Sequence, residues 1–171
     1  EQFIQYWKDY CYSRNFTCPQ ILVKGGMTRF HSVRNALERI PAGAVVGVHD
    51  GVRPLLTPGL VSSLYSMAES RSAVIPVTPC IATLKVLRET AGHLEAVSGA
   101  EADRSVLFGA QTPQMFWSEL LKDAYCQPYD TAFTDDASVV EKYGKSLSYV
   151  IGERLNIKIT TREDITLADA I

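Results

Sequence analysis

The chain has 171 residues, 46% hydrophobic and 21% charged, and a formal net charge of -2 from 17 basic and 19 acidic residues. That is one domain's length, with enough apolar material for a core that needs no disulfide or metal staple. The balanced charge argues against a nucleic-acid or membrane-surface partner, and no apolar run approaches the length of a membrane span. The four cysteines (Cys11, Cys18, Cys80, Cys126) show neither C-x-x-C pairing nor zinc spacing, which predicts reduced thiols in a cytoplasmic protein.

In chain order, Phe3, Ile4, Trp7, Tyr10 and Cys11 have helical spacing over 1–14. Ile21 to Val23 reads as a short strand before Gly25-Gly26, and Val33, Ala36, Leu37 and Ile40 as a helix. Ala44 to Val48 is a continuous apolar run, the pattern of a buried parallel strand. Thr57-Pro58 reads as an N-cap followed by an N1 proline, opening a helix that Leu60, Leu64 and Met67 continue. Ala73 to Val77 is the next buried strand. Thr83 to Leu87 and Leu94 to Val97, around Gly92, predict a hairpin arm at about 80–104. Strands over 105–110, 147–151 and 157–160 and helices over 116–125, 135–143 and 163–170 complete the pattern. Alternating strands and helices predict an α/β domain, 1–171, with a mostly parallel sheet. In such sheets ligands bind beyond the carboxyl ends of the strands.

Several polar segments fall there or in connecting elements. Gly25-Gly26-Met27-Thr28-Arg29-Phe30-His31-Ser32 is a plain turn or a backbone approach to a ligand ahead of a helix N-terminus. His49-Asp50-Gly51-Val52-Arg53-Pro54 places an Asp where it can meet a metal or hydroxyl, and an Arg where it can meet a phosphate; a self-bonded turn is the bland alternative. Asp103-Arg104 and Gln111-Thr112-Pro113-Gln114 are weak alone. Thr134-Asp135-Asp136-Ala137-Ser138 reads as a helix start with Thr134 as N-cap. Asn156-Ile157-Lys158-Ile159-Thr160-Thr161 sets a Lys among apolar residues, and Thr161-x-x-Asp164 reads as a helix cap.

Taken in order, these six segments resemble the 2-C-methyl-D-erythritol 4-phosphate cytidylyltransferases, over essentially the whole chain. Relatives acting on ribitol 5-phosphate share most of the pattern. The resemblance implies a Rossmann-like nucleotidyltransferase with helices on both faces of the sheet and a projecting β-hairpin arm. It implies CMP transfer from CTP to the methylerythritol phosphate, with release of pyrophosphate, in non-mevalonate isoprenoid precursor synthesis. By analogy, Gly25, Gly26, Ser32 and Thr112 serve the nucleotide. Asp50 and Arg53 lie at the ribose, metal and substrate side, with Asp50 meeting Mg²⁺ or another divalent cation. Thr83, Arg104, Thr134 and Lys158 handle the sugar phosphate, with Arg104 and Lys158 as the catalytic cations. The resemblance also implies a homodimer joined through the arm, so that Thr83 and Arg104 serve the partner's site.

The chemistry needs those residue types. An anionic phosphate attacks another anion, so cations must neutralise and orient it, and no general base is required. The alternatives are the same chemistry on ribitol 5-phosphate or a similar sugar-alcohol phosphate, and a non-catalytic binding or assembly module. The family's N-terminal strand and glycine-rich loop, with its Arg and a following Lys, do not precede Glu1. This stretch alone is therefore expected to bind CTP weakly, to turn over essentially not at all, and to expose a sheet edge or groove. Gly51-Val52 replaces a usual Ala-Ala, Met27 a common acid, and Ala82 a common Asp.

Overall fold

The computed structural model describes residues 2–171. Helix α1 (Gln2–Ser13) is followed by a segment without regular structure, then α2 (Arg29–Leu37), β1 (Val45–Val48), α3 (Pro58–Ser70) and β2 (Ala73–Pro79). Next come β3 (Leu87–Thr90) and β4 (His93–Ala96), a 3₁₀ turn (Arg104–Val106), β5 (Phe108–Ala110) and β6 (Gln114–Trp117). Helices α4 (Ser118–Tyr125) and α5 (Asp136–Lys142), β7 (Ser148–Ile151) and α6 (Arg162–Asp169) complete the chain.

The central five-stranded sheet runs β1-β6-β2-β5, with β7 also on β2. The expectation of a mostly parallel sheet needs correction. Only β2–β7 is parallel, whereas β1–β6, β2–β6 and β2–β5 are antiparallel. The reason lies in the arm. It leaves β2 at its carboxyl end and returns to the same place, where Cys80 N–H donates to Leu107 O at 3.0 Å. The chain can then only run back down the sheet. Strands β1 and β2 still point the same way, each opposed to β6, and β7 follows β2.

Alternation along β2 sorts the core onto two faces. Ala73, Ile75 and Val77 face Phe30 and Leu37 of α2, Leu121 and Tyr125 of α4, and Val139 and Val140 of α5. Val74 faces Leu60, Leu64 and Ala68 of α3, together with Met115. Helices therefore cover both faces, as in Rossmann-like folds. Thr57 caps α3, accepting from Leu60 N–H, with Pro58 at its head. Thr161 and Asp164 form a reciprocal capping box on α6.

Other expectations shift. Residues 21–23 form no strand, because no described strand lies beside them; Ile21 is 72% exposed. The 157–160 segment makes one sheet-like bond, Ile159 N–H to Val52 O, and then turns, because Asp164 accepts from Thr160 and Thr161 N–H. The helix expected from 116 begins at Ser118, since 114–117 forms β6. In the arm, Ala91 (φ 50°) and Gly92 (φ 82°) form a two-residue turn pairing Thr90 with His93, so β3 begins at Leu87 rather than Thr83. All eight residues of β3 and β4 are exposed.

Candidate functional site

The site starts at the carboxyl end of β1. There Asp50 Oδ2 meets Lys158 Nζ at 3.2 Å and Arg53 Nε at 3.4 Å. Arg53 Nη1 also donates to Asn156 O at 2.7 Å, which ties the 50–54 turn to the segment carrying Lys158. Burial by itself would raise the Asp50 pKa. Lys158's hydrogen bond and charge, with the charges of Arg29 and Arg53, outweigh it, and the carboxyl sits below its ordinary value of 3.8. Asp50 is therefore a carboxylate at neutral pH. Lys158 remains about half exposed, with side-chain exposure of 48% against 15% for Asp50.

Beneath this cluster lies the 111–114 loop, whose four residues are all buried. Thr112, read from the sequence as a nucleotide-side residue, is 4% exposed with its hydroxyl engaged. It accepts from Asp50 N–H at 3.0 Å and shares a hydrogen with His49 Nδ1 at 3.0 Å. Thr112 Oγ1 is thus committed to the backbone N–H of Asp50 and to His49. Asn156, fully buried, donates to Thr112 O at 2.8 Å. Gln111 donates to Glu153 O and accepts from Glu153 N–H. These amides fix the turn that delivers Lys158.

The 25–32 loop is closed by its own side chains. Ser32 Oγ accepts from Gly26 N–H and donates to Thr28 O, both at 3.0 Å. Thr28 caps α2, accepting from His31 N–H. A Cβ on Gly26 would lie 2.4 Å from His31 Cβ, so only glycine fits that approach. Gly25 and Gly26 remain exposed.

The head of α5 corrects a further expectation. Asp135, not Thr134, is the N-cap, in a capping box with Ser138. Its carboxylate reaches the N3 amide, for which Thr134 stands one residue too early. Thr134 is left exposed at the rim of a groove of about 700 Å³, lined by apolar residues including Val106, Phe108 and Ile151. Asp50 and Lys158 do not line that groove.

Arg104 lies at the arm's base, where Nη1 donates to Ile81 O at 2.9 Å, and Thr83, shortly after Ile81 in the chain, is exposed. No bond among the described residues joins either to the Asp50 cluster. The structure therefore brings together Asp50, Arg53, Lys158 and Thr112, closes Gly26 on Ser32, and leaves Thr83 and Arg104 apart.

Two residues acquire a role that sequence reasoning did not give them. Arg29 pairs with the fully buried Asp136 across 107 positions, and Asp136 Oδ1 accepts from Tyr125 at 2.6 Å. Both stand in segments already singled out, but Asp136 reads as an ordinary helix-dipole acid until its burial is seen.

As for a metal, no group of three or more His, Cys, Asp or Glu side chains able to hold an ion occurs among the described residues. Asp50 supplies one ionised, partly exposed carboxylate. That donor set fits Mg²⁺ only in the mode where one protein carboxylate joins oxygens brought by a phosphate ligand.

The family model "IspD: 2-C-methyl-D-erythritol 4-phosphate cytidylyltransferase" matches residues 8–171. A relative from Phocaeicola vulgatus, a 2-C-methyl-D-erythritol 4-phosphate cytidylyltransferase, is 42% identical over 166 residues, 97% of this chain and 73% of its own. A Porphyromonas gingivalis enzyme of the same name is 40% identical, over 95% of this chain and 71% of its own. Among solved structures, the Anaerococcus prevotii 4-diphosphocytidyl-2C-methyl-D-erythritol synthase superposes with a TM-score of 0.80 at 27% identity. It covers 99% of this chain and 77% of that one. The Francisella tularensis enzyme gives 0.75 at 31% identity, over 91% and 73%.

Proposed function

The chain belongs to the 2-C-methyl-D-erythritol 4-phosphate cytidylyltransferase family, and on that premise we propose how its residues divide the work of the family's reaction. The activity is CMP transfer from CTP to 2-C-methyl-D-erythritol 4-phosphate, giving the CDP-linked product and pyrophosphate in the non-mevalonate isoprenoid pathway. A phosphate oxygen of the sugar substrate bonds to the α-phosphorus of CTP, and the α–β phosphoanhydride bond breaks as pyrophosphate leaves. The attacking oxygen is already anionic, so the protein's task is to place it and offset charge.

The observation that carries the assignment is the Lys158–Asp50–Arg53 cluster. Lys158, half exposed and aligned by Asp50, orients the attacking phosphate, joined by Thr134 and, from the arm, by Arg104 and Thr83. Arg53 holds the turn and faces the ribose side. Gly25, Gly26 and Ser32 form the nucleotide-side wall, and Thr112 holds Asp50 against it. Mg²⁺, taken up with the triphosphate and one oxygen of Asp50, would supply charge neutralisation on the leaving pyrophosphate.

We read 1–171 as one nucleotidyltransferase domain with its arm at about 80–104. The arm exposes Ile81 (63%) and Leu94 (70%), and the nearby groove exposes Val106 (70%) and Ile151 (69%). Apolar surface of that extent supports an arm-mediated homodimer. No helix among the described residues is long and apolar enough to cross a membrane; a cytoplasmic location is our reading.

The test is CTP-dependent pyrophosphate release by the complete reading frame with Mg²⁺, offering methylerythritol 4-phosphate and ribitol 5-phosphate separately. Release with the first upholds the substrate assignment. Release only with the second keeps the mechanism and changes the pathway, and release with neither returns the chain to a binding or assembly role.

A further inference from the structure

Arg29 and Asp136 stand at the first positions of α2 and α5, and each follows a capping residue. The loop before α2 is the proposed nucleotide-side wall, and the residue before the α5 cap is Thr134, proposed for the sugar phosphate. These segments share no strand, and α2 makes its main helix contacts with α4. They do share a buried apolar joint: Phe30 stacks on Tyr125 at 4.7 Å and on Phe133 at 5.4 Å. Stacked rings adhere but tolerate sliding, whereas an Arg–carboxylate contact has a required direction.

Asp136 is 0% exposed, and a carboxylate there is tolerable only because Arg29 and Tyr125 meet its two oxygens. Gln114 braces the same helix head, donating to Asp135 Oδ2 at 2.7 Å and accepting from Ala137 N–H at 2.8 Å. The α5 head is therefore rigid on β6, and Arg29 is the charged link from it to α2.

We propose that Arg29 and Asp136 are a positioning pair for the transfer reaction, locking the 25–32 loop and Thr134 into one surface so that nucleotide and sugar phosphate are held in register. This rests on the functional reading above only where it names the two ligands; the mechanical coupling stands by itself.

The test reads α2 after a change in α5. Asp136→Asn keeps the size of the side chain and an acceptor for Tyr125 but removes Arg29's counter-charge. In the complete reading frame, amide exchange at His31 and Ser32 should quicken about tenfold. Well below the variant's melting temperature, KM for CTP and KM for the sugar phosphate should rise together, each about fivefold. Tyr125→Phe is the control. It should lower Tm but leave both KM values and the exchange rates within about twofold of wild type.

Unchanged exchange at His31 and Ser32 in Asp136→Asn, or a rise in only one KM, overturns the pair. If Asp136→Asn does not fold, Arg29→Met and Arg29→Lys replace it, since Arg29 is partly exposed. Met should quicken exchange at His31 and Ser32 and Lys should restore it, while equal rates in the two variants overturn the proposal. A wild type that turns over neither substrate sinks the functional reading, and the exchange measurements still decide the coupling.

Discussion

The turn after β1 and the arm between β2 and β5 carry residues assigned to the same reaction, yet they are held in opposite ways. Asp50 is fixed by Lys158 and Arg53 on its carboxylate and by Thr112 on its backbone N–H, above a fully buried loop. Arg104 makes one bond to a backbone carbonyl at an exposed position, and every residue from 81 to 95 is exposed. The first region is organised before any ligand arrives. The second keeps its side-chain entropy until something orders it, and that cost falls on binding. One half of the proposed site is thus built by this chain's own core, while the proposed half on the arm has no such support within the chain.

The sharpest way to break this comparison is Lys158→Ala. Removing the one half-exposed cation of the organised half should cost about 100-fold in kcat/KM for the sugar phosphate, by analogy with losing one preorganised charge-stabilising donor. Pyrophosphate-release kinetics would show it, and turnover near wild type would make Lys158 a surface residue.

Next comes Gln114→Ala. It strips Asp135 and Ala137 N–H of a buried partner and should destabilise by about 2 kcal/mol, read from denaturant midpoints. Arg104→Ala should do the reverse, raising KM for the sugar phosphate about tenfold while stability changes by no more than about 0.5 kcal/mol. Equal destabilisation by both substitutions would erase the distinction between the core-built half and the arm.

The smallest effect is in pH dependence. The folded-state pKa of Asp50 lies below its ordinary 3.8. Its contribution to stability is therefore present above the ordinary value and is lost as pH falls through the lower, folded one. The wild-type advantage over Asp50→Asn should stay flat from neutrality to about pH 5 and vanish only below about pH 4, as followed by thermal melts. A loss beginning near neutrality would mean that Lys158 and Arg53 do not hold the carboxylate.

Much of this was written locally in the chain. Thr57-Pro58 and Thr161-x-x-Asp164 opened their helices as read, because a cap involves neighbours within one turn. The α/β class followed from apolar spacing, and the family from the order of six short segments. Asp50 and Arg53 could be nominated because their residue types follow a buried strand, where such sheets bind ligands, whereas Lys158 was nominated by the family resemblance alone. The sequence by itself thus determined the family and where these helices begin.

Only the tertiary structure decided who lies beside whom. It placed β6 antiparallel between β1 and β2, because the arm returns the chain to the point where it left. It turned Thr112 inward to hold Asp50, and it joined Arg29 to Asp136 across 107 residues. Strand pairing and buried ion pairs depend on partners far along the chain, and a Thr or Asp in a loop carries no local mark of the neighbour it will meet.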